Sequence, residues 1–155
     1  LRFDLLGVQA RFVIPPNYVE LMTMSGMTTR METQDPQLPR ISGEALIVED
    51  NLIIAMNAEV ILLELGARHV ETAASVKQAL SAIDRAVPGF ALLDLNLGPE
   101  NSIPVGMKLK ELGVPFIFAT GYGERAPIPE TLAAAPVIQK PYTNEVVQAA
   151  LGRLR

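Results

Sequence analysis

The chain is 155 residues long, 49% hydrophobic and 19% charged, with a positive mean hydropathy, which excludes disorder over most of its length and suits one buried core of ordinary domain size. A formal net charge of -4 and a pI near 5.0 argue against the clustered Lys and Arg that nucleic-acid binding requires, so no nucleic-acid partner is expected. The absence of Cys excludes thiol chemistry, the single His69 excludes histidine-rich metal sites, and the uncharged stretch from Leu112 to Gly123 falls short of the roughly 18 apolar residues of a membrane span, so no membrane partner is expected either.

In chain order, the start at Leu1 has no basic segment leading into an apolar run and a cleavage site, and it reads as the beginning of a fragment. Arg11 to Ile14 predicts a short strand stopped by Pro15-Pro16. Thr23 to Pro39 mixes Ser, Thr, Gly, Gln and Pro without a sustained period and predicts a linker; the methionines between Met22 and Met31 read as linker or partner-contact residues rather than a cofactor site. The composition changes near Ile41. The organisation expected is therefore the end of a preceding domain at 1–22, a linker at 23–43 and a second domain at 44–155.

From Ala45 onward, short apolar runs alternate with helical periods. Ala45 to Val48, ending in Glu49-Asp50, predicts a parallel strand buried on both faces. Residues 52 to 65 carry Ile53, Met56, Val60 and Leu63 near helical spacing, and Gly66 closes that helix. His69 to Thr72 predicts a strand, with His69 structural. Ser75 caps a helix with Val76, Leu80 and Ile83 inward, stopping before Pro88-Gly89. Phe90 to Leu93 is the third strand, ending on Asp94, and a helix from about Ile103 to Leu112 is closed by Gly113. Val114 to Ala119 is the fourth, with Pro115 at its entrance; the Ala- and Pro-rich stretch after it allows only a short helix near Pro129 to Ala134. Val137 to Gln139 is the fifth strand, and Thr143 caps a last helix carrying Val146, Val147, Leu151 and Leu154. Strands alternating with helices mean an α/β domain with a parallel sheet.

Polar residues recur where those strands end: Glu49 and Asp50, Asp94, Thr120, Lys140. The carboxyl ends of neighbouring parallel strands open into one crevice, so these residues become neighbours there. Each one alone is more often an ordinary helix cap, a turn residue or a solvated lysine; together in register they form a site. Carboxylates held close repel one another unless a cation lies among them, and an oxygen-only donor set suits Mg²⁺, or Mn²⁺ in its place. An ammonium and a hydroxyl beside such a metal make a receptor for a phosphoryl group, with a carboxylate as nucleophile.

The runs Leu46 to Asp50 (LIVED), Leu93 to Leu97 (LDLNL), Phe118 to Tyr122 (FATGY) and Lys140-Pro141 resemble the receiver domains of two-component response regulators, in order and spacing, over residues 45 to 155. The resemblance implies a flavodoxin-like (βα)5 doubly wound sheet of strand order 2-1-3-4-5 with a shortened fourth helix. It also implies Asp94 as phosphoacceptor, taking the phosphoryl group from a histidine kinase or histidine phosphotransfer protein in a Mg²⁺-dependent reaction. Glu49, Asp50, Asp94 and the main-chain carbonyl of Asn96 would hold the metal. Thr120, Lys140 and the backbone N–H groups of Leu95 and Gly121 would contact the phosphoryl oxygens, and the Lys140–Pro141 peptide would be cis. A cytoplasmic location follows from the same resemblance, and a homodimer stays open.

Val137 stands where receivers commonly carry a switching aromatic residue, and Phe118 to Gly123 is similar to an atypical Phe-Ala-Thr-Gly-x-Tyr subgroup that lacks that switch; changes on phosphorylation are then expected in the loop from 121 to 135. Leu1 to Pro16 is similar to the last strand pair of the ATP-binding domain of HWE-type histidine kinases, which implies the C-terminal receiver of a hybrid kinase. Such a receiver promotes only its own phosphorylation and hydrolysis, and kinase activity belongs to the parent chain. The alternatives are a stand-alone regulator, a pseudo-receiver acting only as an interaction module, and a haloacid-dehalogenase-type phosphatase. The last needs a second Asp two residues after the nucleophile, where this chain has Asn96.

Overall fold

The computed structural model of the chain describes residues 18–22, 28–32, 39–121 and 128–154. Two compact units divide the chain, residues 1–37 and 38–155. In the first, Tyr18–Met22 pairs antiparallel with Thr28–Glu32, in the register Tyr18 with Glu32 and Met22 with Thr28. The second of these strands falls within the stretch expected as linker: Thr28–Glu32 has no apolar alternation of its own and becomes a strand through its partner, a pairing that no local period announces. The strand expected at 11–14 lies outside the described residues.

In the second unit the strands are β1 (Glu44–Val48), β2 (His69–Ala73), β3 (Phe90–Asp94), β4 (Phe116–Thr120) and β5 (Val137–Gln139). The helices are α1 (Leu52–Glu64), α2 (Val76–Arg85), α3 (Ile103–Glu111) and α4 (Asn144–Leu151). All five strands are parallel and lie in the order β2-β1-β3-β4-β5, the doubly wound α/β arrangement expected. Alternate residues of each strand feed opposite faces. Ala45, Ile47, Phe90, Leu92 and Ile117 meet α1 and α4; Leu46, Val48, Ala91, Leu93, Phe116 and Phe118 meet α2 and α3. Burial on both sides explains the near-continuous apolar runs. Between β4 and β5 the expected short helix is reduced to one 3-10 turn, Glu130–Leu132, because Pro129 and Pro136 bracket it and leave room for no further helical turn.

Helical spacing locates α1 but not its inward face. Ala55, Ala58, Ile61 and Leu62 are buried, whereas Ile53 (79% exposed), Met56 (59%), Val60 and Leu63 face outward together with Leu52. The helix is apolar on nearly every side, so its period cannot tell inside from outside. Asn51 starts it, its side-chain oxygen accepting the N–H groups of Ile53 (3.0 Å) and Ile54 (3.3 Å). Thr143 precedes α4 without capping it; its hydroxyl serves Glu145, whose carboxyl is held below its ordinary value by that bond.

At the other end of α1, Gly66 N–H reaches the Leu63 carbonyl and Ala67 N–H the Leu62 carbonyl, the paired bonds of a Schellman motif. Gly66 has φ +108°, and a Cβ there would stand 2.8 Å from the Ile41 carbonyl oxygen, a backbone atom that itself accepts no room to retreat because Ile41 N–H is bonded to Leu65. Gly66→Ala is expected to destabilise the protein by about 2 kcal/mol, combining left-handed backbone strain with that contact, as read from the urea midpoint followed by far-UV circular dichroism.

Candidate functional site

Because β1, β3, β4 and β5 are consecutive in the sheet, their carboxyl ends form one edge. Glu49 and Asp50 follow β1, Asp94 ends β3, Thr120 ends β4, and Lys140 follows β5. Two backbone bonds extend the ladder past the strand ends and fix these positions: Glu49 N–H to the Ala73 carbonyl (3.0 Å) and Lys140 N–H to the Thr120 carbonyl (2.8 Å). The Lys140–Pro141 peptide is cis.

The Lys140 ammonium lies between two buried carboxylates, 2.5 Å from Glu49 Oε2 and 2.6 Å from Asp94 Oδ2. Each acid uses its second oxygen alike. Glu49 Oε1 accepts the Asn51 N–H at 3.2 Å, and Asp94 Oδ1 accepts the Asn96 N–H at 3.3 Å. Asp50 is exposed on the rim, and one carboxylate oxygen from each of Glu49, Asp50 and Asp94 falls within 4.8 Å of the others. Three carboxylates against one ammonium leave the cluster anionic, and every donor is oxygen, which fits a hard divalent cation better than any metal preferring nitrogen or sulfur.

Burial pushes the Glu49 carboxyl above its ordinary value; the Lys140 bond opposes this and the nearby Asp94 charge adds to it. For Lys140, burial acts to lower the ammonium, but its bonds to Asp94 and Glu49 and their negative charge outweigh burial, so the net direction is upward and Lys140 stays protonated. Tyr142, buried two residues further on, has its phenol raised by burial and by the charges of Glu49 and Asp94. Tyr142 packs in the core two residues before α4.

One expected backbone contact comes out differently. The Leu95 N–H donates to the Ala119 carbonyl at 2.8 Å, one more rung between β3 and β4, so it is committed to the sheet and does not serve the site. The amide facing Asp94 is that of Asn96. Residue-type reasoning could not separate the two, since the choice depends on where the β3 ladder ends. Thr120 Oγ lies 3.5 Å from the Gly121 carbonyl, and Gly121 follows it at the sheet edge. Residues 122–127 of the loop expected to move, Tyr122 among them, lie outside the described residues. Val137 is exposed on the outer strand opposite Phe118.

After Asp94 the chain makes a short ribbon, Asn96–Leu97 against Glu100–Asn101. The sequence reading missed it, although Gly98-Pro99 is its signal: Gly98 has φ +65° and proline a fixed negative φ, the combination of a type II′ two-residue turn. Position 98 also faces the site, since a Cβ there would lie 3.7 Å from Asp50 Oδ2.

The model of the response regulator receiver domain family matches residues 45–152. The chain belongs to the response regulator receiver family. Among curated proteins, this receiver is 34% identical over 116 residues to the phyllosphere-induced regulator PhyR of Methylorubrum extorquens, covering 73% of this chain and 43% of that one. It is 30% identical over 115 residues to the transcriptional regulatory protein LytR of Staphylococcus aureus, covering 72% and 47%. The chain thus spans under half the length of these relatives. Among solved structures it resembles SdrG of Sphingomonas melonis (38% identity, TM-score 0.64, 72% of this chain and 95% of that one). The PhyR receiver of Erythrobacter litoralis is also similar (30%, 0.62, 73% and 89%). Receiver domains bind Mg²⁺ at an acidic site, and Glu49, Asp50 and Asp94 form such a cluster here.

The raised Glu49 carboxyl has a consequence for stability. Between its ordinary value of 4.5 and its raised folded value, the folded protein holds a proton that the unfolded chain has released, so stability falls as pH rises through that window. Lys140 is protonated in both states there and adds no slope. In chelator-treated protein, urea midpoints measured from pH 4.5 to 7 are expected to decline for the wild type, and Glu49→Gln is expected to remove the part of that decline due to this group.

Proposed function

We propose that this receiver accepts a phosphoryl group on Asp94 from the phosphohistidine of a histidine kinase or histidine phosphotransfer protein, in a reaction that requires Mg²⁺ or Mn²⁺. The observation that carries the reading is the Lys140 ammonium, held 2.6 Å from Asp94 and 2.5 Å from Glu49 at the strand-end edge beside Thr120. In the transfer, an Asp94 carboxylate oxygen attacks phosphorus, the P–N bond to the donor imidazole breaks and the imidazole recovers its proton from solvent. Attack by water on the resulting acyl phosphate returns Asp94 and free phosphate.

Glu49, Asp50, Asp94 and the Asn96 carbonyl would hold the metal. When bound it would supply positive charge to the non-bridging phosphoryl oxygens during transfer. Lys140 neutralises the same oxygens from the other side, and the Thr120 hydroxyl with the Asn96 and Gly121 N–H groups orients them. Asn96 suits both tasks. It forms the non-hydrogen-bonded pair of its ribbon, next to the Ser102 N–H bond to the Leu95 carbonyl, so its N–H and C=O turn away from the partner strand toward the acids. Asn96 also disfavours the phosphatase alternative, because it cannot act as the second acid.

The protein donor is proposed to land on the outward face of α1. That helix starts directly after Asp50 and Asn51, and it presents Leu52, Ile53 and Met56 beside the acids. An apolar surface continuous with the reactive edge suits a helical donor that carries its phosphohistidine among apolar neighbours. The hybrid-kinase origin is proposed from the similarity of Leu1 to Pro16 alone, with a cytoplasmic location; the near-complete coverage of the SdrG chain keeps a stand-alone receiver as the second reading.

With Mg²⁺ and acetyl phosphate, the wild type is expected to incorporate phosphate and Asp94→Asn or chelator-treated protein to incorporate none, as separated on a phosphate-affinity gel; equal behaviour of wild type and variant would leave only an interaction module. Ile53→Gln is expected to slow transfer from a histidine kinase that phosphorylates the wild type by about tenfold while leaving the acetyl phosphate rate unchanged, the signature of a lost docking contact.

A further inference from the structure

The ribbon after Asp94 is too short to hold itself. It has two rungs, Asn96 with Asn101 and Leu97 with Glu100, and even complete two-stranded hairpins are marginal in water. Two of its supports are local. Ser102 N–H bonds the Leu95 carbonyl at 3.2 Å, and Asn101 Oδ1 accepts the Ile103 N–H at 3.1 Å where α3 begins. The third leaves the segment altogether: Glu100 Oε1 accepts the Val76 N–H at 3.3 Å, the first helical residue of α2.

That amide needs an outside partner. The first N–H groups of a helix have no acceptor within it, and an anionic carboxylate is the favoured one because the helix N-terminus is positive. Two other amides near this end have side-chain acceptors. Ser75 Oγ accepts the Gln78 N–H at 3.2 Å, and Gln78 Oε1 accepts the Ala74 N–H at 2.8 Å. Val76 is left to Glu100, which lies on the rung next to Asn96.

We propose that Glu100 is a positioning residue for the metal-binding loop: by pinning the ribbon to the N-terminus of α2 it holds the Asn96 carbonyl where the cation needs it. The proposal rests on the reading of Glu49, Asp50, Asp94 and Asn96 as the Mg²⁺ site. Glu100 touches neither the cation nor the phosphoryl group. Its effect comes from removing the freedom of a loop that would otherwise be ordered only when metal binds, a cost then taken from the metal's affinity. Linkage makes the effect mutual, so Mg²⁺ must in turn tighten the bond at Val76.

The test is calorimetric Mg²⁺ titration of the full chain, wild type against Glu100→Ala, Glu100→Gln and Ser75→Ala, with amide exchange at Val76 read by NMR. Glu100→Ala is expected to raise the Mg²⁺ Kd about fivefold, the scale of one exposed charge-assisted hydrogen bond. Glu100→Gln keeps an acceptor oxygen without the charge and is expected to restore most of the affinity. Ser75→Ala loosens the same helix end without touching the ribbon and is expected to leave the Kd unchanged. In the wild type Mg²⁺ is expected to slow Val76 exchange, and in Glu100→Ala to leave it unchanged. A Glu100→Ala protein that binds as the wild type overturns the proposal. So does a Gln variant as weak as Ala, which would mean bulk charge, or a Ser75→Ala protein equally weak, which would mean general loosening of α2. A wild type that binds no Mg²⁺ overturns the reading of the metal site itself and this proposal with it.

Discussion

Two carboxylates more than nine-tenths buried, Glu49 and Asp94, share a single ammonium, and the strand-end geometry serves that arrangement. Buried like charges a few ångströms apart are costly, and removing Lys140 from between them would leave the cost unopposed. One cation against three acids still leaves negative charge at the rim, where Asp50 is exposed. The cluster is held together while remaining receptive to a second positive group. Such a balance is unfavourable for stability and suited to binding, which is why the raised Glu49 carboxyl lies at the functional edge rather than elsewhere in the fold.

The parallel sheet supplies the rigidity. Lys140 and Glu49 are 91 residues apart in sequence, yet each is one residue beyond a strand whose backbone ladder continues through it. Neither side chain depends on a loop for its position. The element that does depend on a loop is the ribbon carrying Asn96, and there the chain adds supports: a glycine-proline turn, a side-chain cap from Asn101 and the bond from Glu100 to α2. Rigid strand ends hold the charged side chains, and a braced hairpin holds the Asn96 N–H that meets Asp94.

Helix α1 combines two roles that usually conflict. Its inner face is small, with Ala55 and Ala58 allowing close approach to the sheet beside Ile61 and Leu62. Its outer face keeps Leu52, Ile53, Met56, Val60 and Leu63 in water, an apolar stripe larger than scattered exposed residues would produce. That stripe begins immediately after the acids.

Much of the receiver was legible without coordinates. Apolar runs such as Ala45 to Val48 and Phe90 to Leu93 announce strands buried on both faces, Gly66 and Gly113 mark helix ends, and the acids, Thr120 and Lys140 stand at strand ends because local pattern and backbone chemistry suffice to place them. Thr28–Glu32 was not legible, since its strand character comes from a partner rather than from its own residues. The inward face of α1 was not legible either, because a helix apolar all round has no period to read. Among backbone donors, only the end of the β3 ladder decides that Leu95 is spent on Ala119 and that Asn96 faces Asp94. The sequence by itself determined which residue types arrive at the edge of which strand; the tertiary structure alone decided which of their atoms meet, because hydrogen-bond partners 24 or 91 residues away are chosen by packing and not by neighbours along the chain.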